Sequence, residues 1–121
     1  MKTTSRRKPV FGHEYLDVYH LSIDFVADVI RITTRLPRGT AVVRDQLRRA
    51  AMSIPLNIAE ASGRPTENDA ARHYGIARGS ALECAAALDV IRELECVDPG
   101  RIEKARDVLV RIVQMLSKMC R

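Results

Sequence analysis

The sequence predicts an all-α protein folded as an antiparallel up-down four-helix bundle. Apolar residues recur at helical spacing, four such segments are separated by short Pro-, Gly- and Asp-containing breaks, and no stretch alternates as a strand would. Loops this short between long helices leave consecutive helices antiparallel. At 121 residues and 46% hydrophobic content, the chain can bury one core of its own and has no room for a second domain. The expected organisation is a flexible basic leader over 1–12 and a single bundle domain over 13–121.

The first helix is expected from about Glu14 to Arg35, stopped by Leu36-Pro37-Arg38-Gly39. In helical projection Val18, Phe25, Val29, Ile32 and Leu36 form one apolar seam. Leu16, Tyr19, Ile23, Val26 and Ile30 form a second, about 120° away. One seam serves a bundle core, so the second asks for another partner surface and predicts a homo-oligomer. Asp17, His20, Asp24, Asp28, Arg31 and Arg35 share the remaining polar wedge.

The second helix is expected from about Thr40 to Ser62. Its apolar arc is Leu47, Ala50, Ala51, Ile54, Ile58 and Ala61, flanked by a polar stripe of Arg49, Ser53, Asn57, Glu60 and Arg64. Pro55 lies inside it, where a lost donor and a clash with the Ala51 carbonyl cost about 3 kcal/mol in a straight helix, so a kink is expected.

Ser62-Gly63-Arg64-Pro65 closes the second helix, and Thr66 is placed to cap a third, with Glu67 and Asp69 at its positive end. This third helix is expected to reach about Glu95, with Tyr74, Ala77, Ala81, Cys84, Leu88 and Ile91 turned inward. Gly75 and Gly79 lower its helix propensity, which close approach of another backbone would explain. Asp98-Pro99 opens the fourth helix, whose seam is Ile102, Ala105, Leu109, Ile112, Leu116 and Met119, widened by Val108 and Met115.

Two words, QLRRAAMSIPLNIAEASGR at Gln46 to Arg64 and ARGSALE at Ala77 to Glu83, resemble the signature of the 23S rRNA-intervening-sequence protein family. That signature runs roughly QLRRAxxSIxxNIAEG and then AxGSxxE, and the resemblance extends from about Phe11 to the C-terminus. One departure is Ala61, where the family usually carries Gly; here the glycine is displaced to Gly63, which puts the local helix end in question. The resemblance implies bacterial four-helix bundles that assemble into rings, commonly pentamers, with an RNA association known from gene location. More distantly, the chain is similar to the accessory proteins of diversity-generating retroelements, which implies an adaptor for a reverse transcriptase or other nucleic-acid enzyme as an alternative role.

The polar stripe reads as packing between helices. Arg49, Ser53, Asn57 and Glu60 are expected to form a structural network with Ser80 and Glu83, including a carboxylate from Glu83 for Arg49, because half-buried polar groups must be hydrogen-bonded. The formal charge of +5 resides mostly in Lys2, Arg6, Arg7 and Lys8, leaving a body of 16 basic and 15 acidic side chains. These four residues, with Arg64 and Arg72, are the candidate nucleic-acid contacts, and such contacts would be electrostatic and salt-dependent. With five aromatic residues and no Trp, single-strand stacking lacks its usual equipment.

Catalytic and metal templates fit poorly, and no enzyme activity and no cofactor are expected. No Glu is followed three positions later by His, as a bundle di-iron site requires, and Asp69 with His73 is a single pair. Phosphate-loop and Cys-x-x-Cys words do not occur, and the one Ser-x-x-Lys spacing, Ser5 to Lys8, falls in the basic leader. RNA-cleaving bundles of the HEPN type place His four to six residues after Arg; here only Arg7 and His13 do, in the leader. The three cysteines, with Cys84 and Cys96 about 18 Å apart along one helix, suit a reducing compartment. Without an apolar run of membrane-spanning length or a signal-type h-region, a cytoplasmic protein with no membrane partner is expected. The working expectation is a non-catalytic oligomeric assembly protein with RNA or a ribonucleoprotein as partner.

Overall fold

The structure is a computed structural model that describes residues 6–121. A short 3-10 turn, Gly12–Tyr15, leads into four α-helices: α1 (Asp17–Thr34), α2 (Ala41–Ser62), α3 (Glu67–Glu93) and α4 (Pro99–Met119). No strand occurs among the described residues. Helices adjacent in sequence are adjacent in space, and α4 returns against α1 to close the bundle. Cross-helix pairs confirm the antiparallel runs: Gln46 meets Glu83 and Ser53 meets Ser80 between α2 and α3, while Arg78 meets Ser117 and Gly75 lies by Cys120 between α3 and α4.

The helix ends follow local chemistry. The α1 helix begins at Asp17 rather than Glu14, because Glu14 serves the preceding turn: its Oε1 accepts from the Val10 and Phe11 amides at 2.9 Å each. Those two N–H groups, Phe11 first, hold the Glu14 carboxyl below the usual carboxylate range. Gly39, at φ 90, makes the left-handed turn before α2 that a side chain would resist. Gly63 is the C-cap of α2, its amide reaching the Glu60 carbonyl at 3.2 Å, so the displaced glycine still ends the helix. The Thr66 hydroxyl accepts from the Asp69 amide at 3.1 Å, the expected cap. The α3 helix stops at Glu93, short of Glu95, which takes a left-handed φ of 53. The α2 helix remains helical on both sides of Pro55, whose ring is buried.

The core is the set of inward seams. Phe25, Val29 and Ile32 of α1, the whole arc from Leu47 to Ala61 of α2, and Ala77, Ala81, Cys84, Leu88 and Ile91 of α3 are buried with Ile102, Ala105, Leu109, Ile112 and Leu116 of α4. Tyr74 and Met119 are half-buried at its edge. The most extensive helix contact is α2 with α3, where Ala50, Ala77 and Ala81 keep the facing surfaces low. At the α1–α2 contact Thr33 is buried, its hydroxyl donating to the Val29 carbonyl at 2.7 Å and accepting from Arg48 Nε at 2.7 Å. The α3–α4 contact has a counterpart: Arg78 Nε donates to Ser117 Oγ at 2.8 Å, and Ser117 donates to the Val113 carbonyl at 2.7 Å.

Burial, with a smaller contribution from the Glu83 carboxylate, pushes the Cys84 thiol up to about 12. The folded state therefore keeps a neutral thiol where an unfolded chain would ionise it, from about pH 8.5 upward. The stability this contributes is complete below that pH and is lost as pH rises toward 12. In native protein near pH 8 a thiol reagent is expected to label the half-buried Cys96 and Cys120, with Cys84 reacting only on unfolding. Three thiols labelled at comparable rates in the folded protein would contradict this packing.

Candidate functional site

Three of the six residues expected in the polar network meet at the α2–α3 contact. Ser80 donates to Ser53 Oγ at 2.8 Å. Asn57 Nδ2 donates one helical turn back to the Ser53 carbonyl at 2.8 Å and to Ser53 Oγ at 3.0 Å. Ser53 is thus the hub, accepting from both helices, and all three side chains are half-buried. The Ser80 bond crosses between the helices and ties the register of α2 to α3, while Asn57 holds the Ser53 hydroxyl from within α2.

The other three lie outside that hub. Glu83 does not receive Arg49; its carboxylate accepts from Gln46, which faces α3 one turn earlier along α2. Arg49 is exposed on the outer side of α2, because its position is turned by about 40° away from Ser53 and by more from Gln46. Glu60 is exposed and pairs at 3.1 Å with Arg64, just beyond the end of its own helix. Sequence phase placed these residues on one stripe but could not divide the stripe between α3 and solvent.

The candidate nucleic-acid contacts are largely committed elsewhere. Lys2 lies outside the described residues. Arg6 pairs with Asp17 at 3.2 Å and Arg7 with Glu14 at 3.7 Å, and the Tyr15 hydroxyl reaches the Pro9 carbonyl at 3.5 Å. The described part of the leader therefore lies against the start of α1. Arg64 pairs with Glu60 and, at 3.8 Å, with Asp69. Lys8 and Arg72 have no carboxylate partner among the described residues; Arg72 approaches His73 Nε2 at 3.3 Å. His73 forms no bond to Asp69, and its Nδ1 is buried without a partner among the described residues. Arg7 and His13 do not combine either: His13 packs between Phe11 and Tyr19, with ring centroids at 6.1 and 4.6 Å.

Two surfaces emerge that residue-by-residue reading had not assembled. The second seam of α1 is divided: Leu16, Tyr19 and Val26 are half-buried against the core, whereas Ile23 is 37% and Ile30 50% exposed, and α2 exposes Met52 at 48% and Leu56 at 68%. Between the helices runs an apolar groove of about 250 Å³ lined by Val26, Ile30, Ala51 and Met52, with Arg48 at its edge. On α4, Arg101, Lys104, Arg111 and Lys118 form a row along the helix; Arg101 and Lys104 share a depression with Asp28 and Arg31 of α1, and Arg111 and Lys118 are exposed further along. None of the four α4 bases has an ion pair with a described residue. Their spacing was available in the sequence, but the side of α4 they occupy depends on knowing which neighbour is α1. No group of three His, Cys, Asp or Glu side chains able to hold a metal occurs among the described residues. No described helix is long and apolar enough to cross a membrane.

A family model described as 23S rRNA-intervening sequence protein matches residues 14–118. Among solved structures, a protein with unknown function from the S23 ribosomal protein family of Bacteroides thetaiotaomicron is similar at a TM-score of 0.79. Identity is 22%, and the match covers 86% of this chain and 98% of that one. At that identity the likeness establishes the fold alone. No curated protein matches the chain.

Replacing Asn57 by Leu removes both of its hydrogen bonds to Ser53, leaving the one from Ser80. The expected loss is about 1 kcal/mol of unfolding free energy, the lower part of the range because the site is partly hydrated. Denaturant titration measures it. An unchanged midpoint together with lost binding of a partner would make Asn57 a recognition residue instead.

Proposed function

Because the chain belongs to the 23S rRNA-intervening sequence protein family, we propose that it acts as a non-catalytic building block, assembling with copies of itself through the outer face of α1 and α2. The observation that carries this reading is the uncovered part of the second α1 seam: Ile30 and Met52 are half exposed on the walls of an apolar groove, and Ile23 and Leu56 are exposed on the same two helices. Continuous apolar surface of this kind on a small domain is the usual mark of an interaction site. A ring of subunits, with five as the number the family resemblance suggests, is one closed form such association takes.

RNA or a ribonucleoprotein is the partner proposed for the assembly, on separate grounds. The α4 row of Arg101, Lys104, Arg111 and Lys118 spans about 25 Å with no ion pair to a described residue, and it presents positive charge at intervals a phosphate backbone can follow. The ion-paired Arg6, Arg7 and Arg64 support this role less than their charge alone suggests. A reverse transcriptase or similar enzyme, recruited through the same basic row, is the alternative partner.

Light scattering at micromolar concentration should give a mass several times the 13.6 kDa of one chain. The doubly substituted Ile30→Glu/Met52→Glu protein should give a smaller one. A monodisperse 13.6 kDa species would refute self-assembly, and an unchanged mass in the double variant would move the interface elsewhere.

Binding to a structured RNA, followed by fluorescence anisotropy, should weaken steeply with salt. Lys104→Glu with Arg111→Glu should reduce affinity by roughly tenfold or more at low salt, and removal of residues 1–9 by less. Salt-insensitive or sequence-selective binding would contradict the electrostatic reading.

A further inference from the structure

The glycines of α3 carry an inference that the bundle itself does not explain. A Cβ added at Gly79 would meet nothing within 4 Å, and one at Gly75 would meet only the Cys120 Cβ, at 3.9 Å. Close packing inside the chain therefore does not require either glycine, although each weakens the helix. Gly79 is exposed and so is Ala86, two turns further along. On the same outer face Leu82 is 46% and Val90 52% exposed. The outside of α3 thus has a low floor with two apolar knobs beside it.

Charge closes the ends of this face. Arg72 lies seven residues before Gly79, and Glu93 seven after Ala86, so Arg72, Gly79, Ala86 and Glu93 occupy one seam at heptad spacing. Neither Arg72 nor Glu93 has an ion-pair partner among the described residues. When two copies of α3 are laid antiparallel about a two-fold axis near Leu82, Gly79 faces Ala86 of the second copy. In that same register Gly75 receives Val90, and Arg72 meets Glu93, at both ends by symmetry. A parallel arrangement would instead set Arg72 against Arg72 and Glu93 against Glu93. We propose that the outer face of α3 is a two-fold, antiparallel docking surface for a second copy of this chain, with Gly79 and Ala86 at the point of closest approach and Arg72–Glu93 pairs selecting the register. This surface is on a different helix from the α1–α2 face and does not depend on it.

The test uses full-length protein carrying Ile30→Glu and Met52→Glu to silence the α1–α2 face, with circular dichroism to verify folding and the same α3 substitutions repeated in the wild-type background. Sedimentation velocity from 1 to 100 μM should show a monomer–dimer equilibrium. Arg72→Glu or Glu93→Arg alone should raise the dimer dissociation constant at least fivefold, and the two together should restore it to within about twofold of the parent. Gly79→Leu should abolish the dimer while the monomer melts at the same or a higher temperature, since leucine favours an exposed helix more than glycine. A monomer at every concentration in the parent, a charge-swapped double variant no better than the singles, or a dimer indifferent to Gly79→Leu would each overturn the proposal. In the wild-type background, loss of mass on Ile30→Glu/Met52→Glu but none on the α3 substitutions would leave the α1–α2 assembly standing and remove only this surface.

Discussion

Close pairing of α2 with α3 is the constraint from which the arrangement of the other helices follows. Alanines at 50, 77 and 81 are buried where the two helices face one another, and small side chains allow close backbone approach with little side-chain entropy lost. Small residues alone would tolerate sliding by a turn. The hydroxyl of Ser53, accepting from Ser80 and from Asn57, removes that freedom because a shift of one residue would strand half-buried polar groups. With α2 and α3 fixed, α1 and α4 cover the remaining apolar edges, each tied once more by a side-chain hydrogen bond, Arg48 to Thr33 and Arg78 to Ser117. Each of the three successive helix contacts thus combines non-directional burial with one or two directional bonds that set its register.

The same geometry decides which charges are available to partners. Local i,i+4 and turn contacts absorb Arg64 and the leader arginines, while the α4 row is left without ion-pair partners among the described residues. Net charge was therefore a poor guide to where a polyanion would bind, since an arginine already paired with a carboxylate gains less by moving to a phosphate. Apolar surface is divided similarly. Ile23 and Ile30 of α1 with the exposed α2 side chains form one face, the α3 glycine face another, and the bundle satisfies neither by itself.

The fold was legible because its determinants are periodic. Most buried positions of the four helices fall on the seams that phase identifies, with Ser22, Thr33, Pro55 and Ala87 buried outside them, and Thr66 and Gly63 mark ends by local chemistry. The hub residues Ser53, Asn57 and Ser80 were also legible, since polar groups beside an apolar arc require partners of their own. What phase could not supply was the neighbour. Gln46 takes Glu83 in place of Arg49 because it points more directly at α3, and Arg48 finds Thr33 across α1. Glu14 caps a turn instead of opening a helix because two free amides lie within its reach. Such outcomes depend on distances of a few ångströms between elements, which a single helical projection does not contain.

Native-state hydrogen exchange tests this dependence most directly. If the α2–α3 pairing underlies the bundle, amides of residues 50–58 and 77–88 should exchange only through global unfolding, with opening free energies equal to the stability from denaturant titration. Amides of α1 and α4 should open at lower free energy. Exchange of the α2–α3 seam through a sub-global opening while α1 and α4 stay protected would contradict the account and place the organising contact elsewhere.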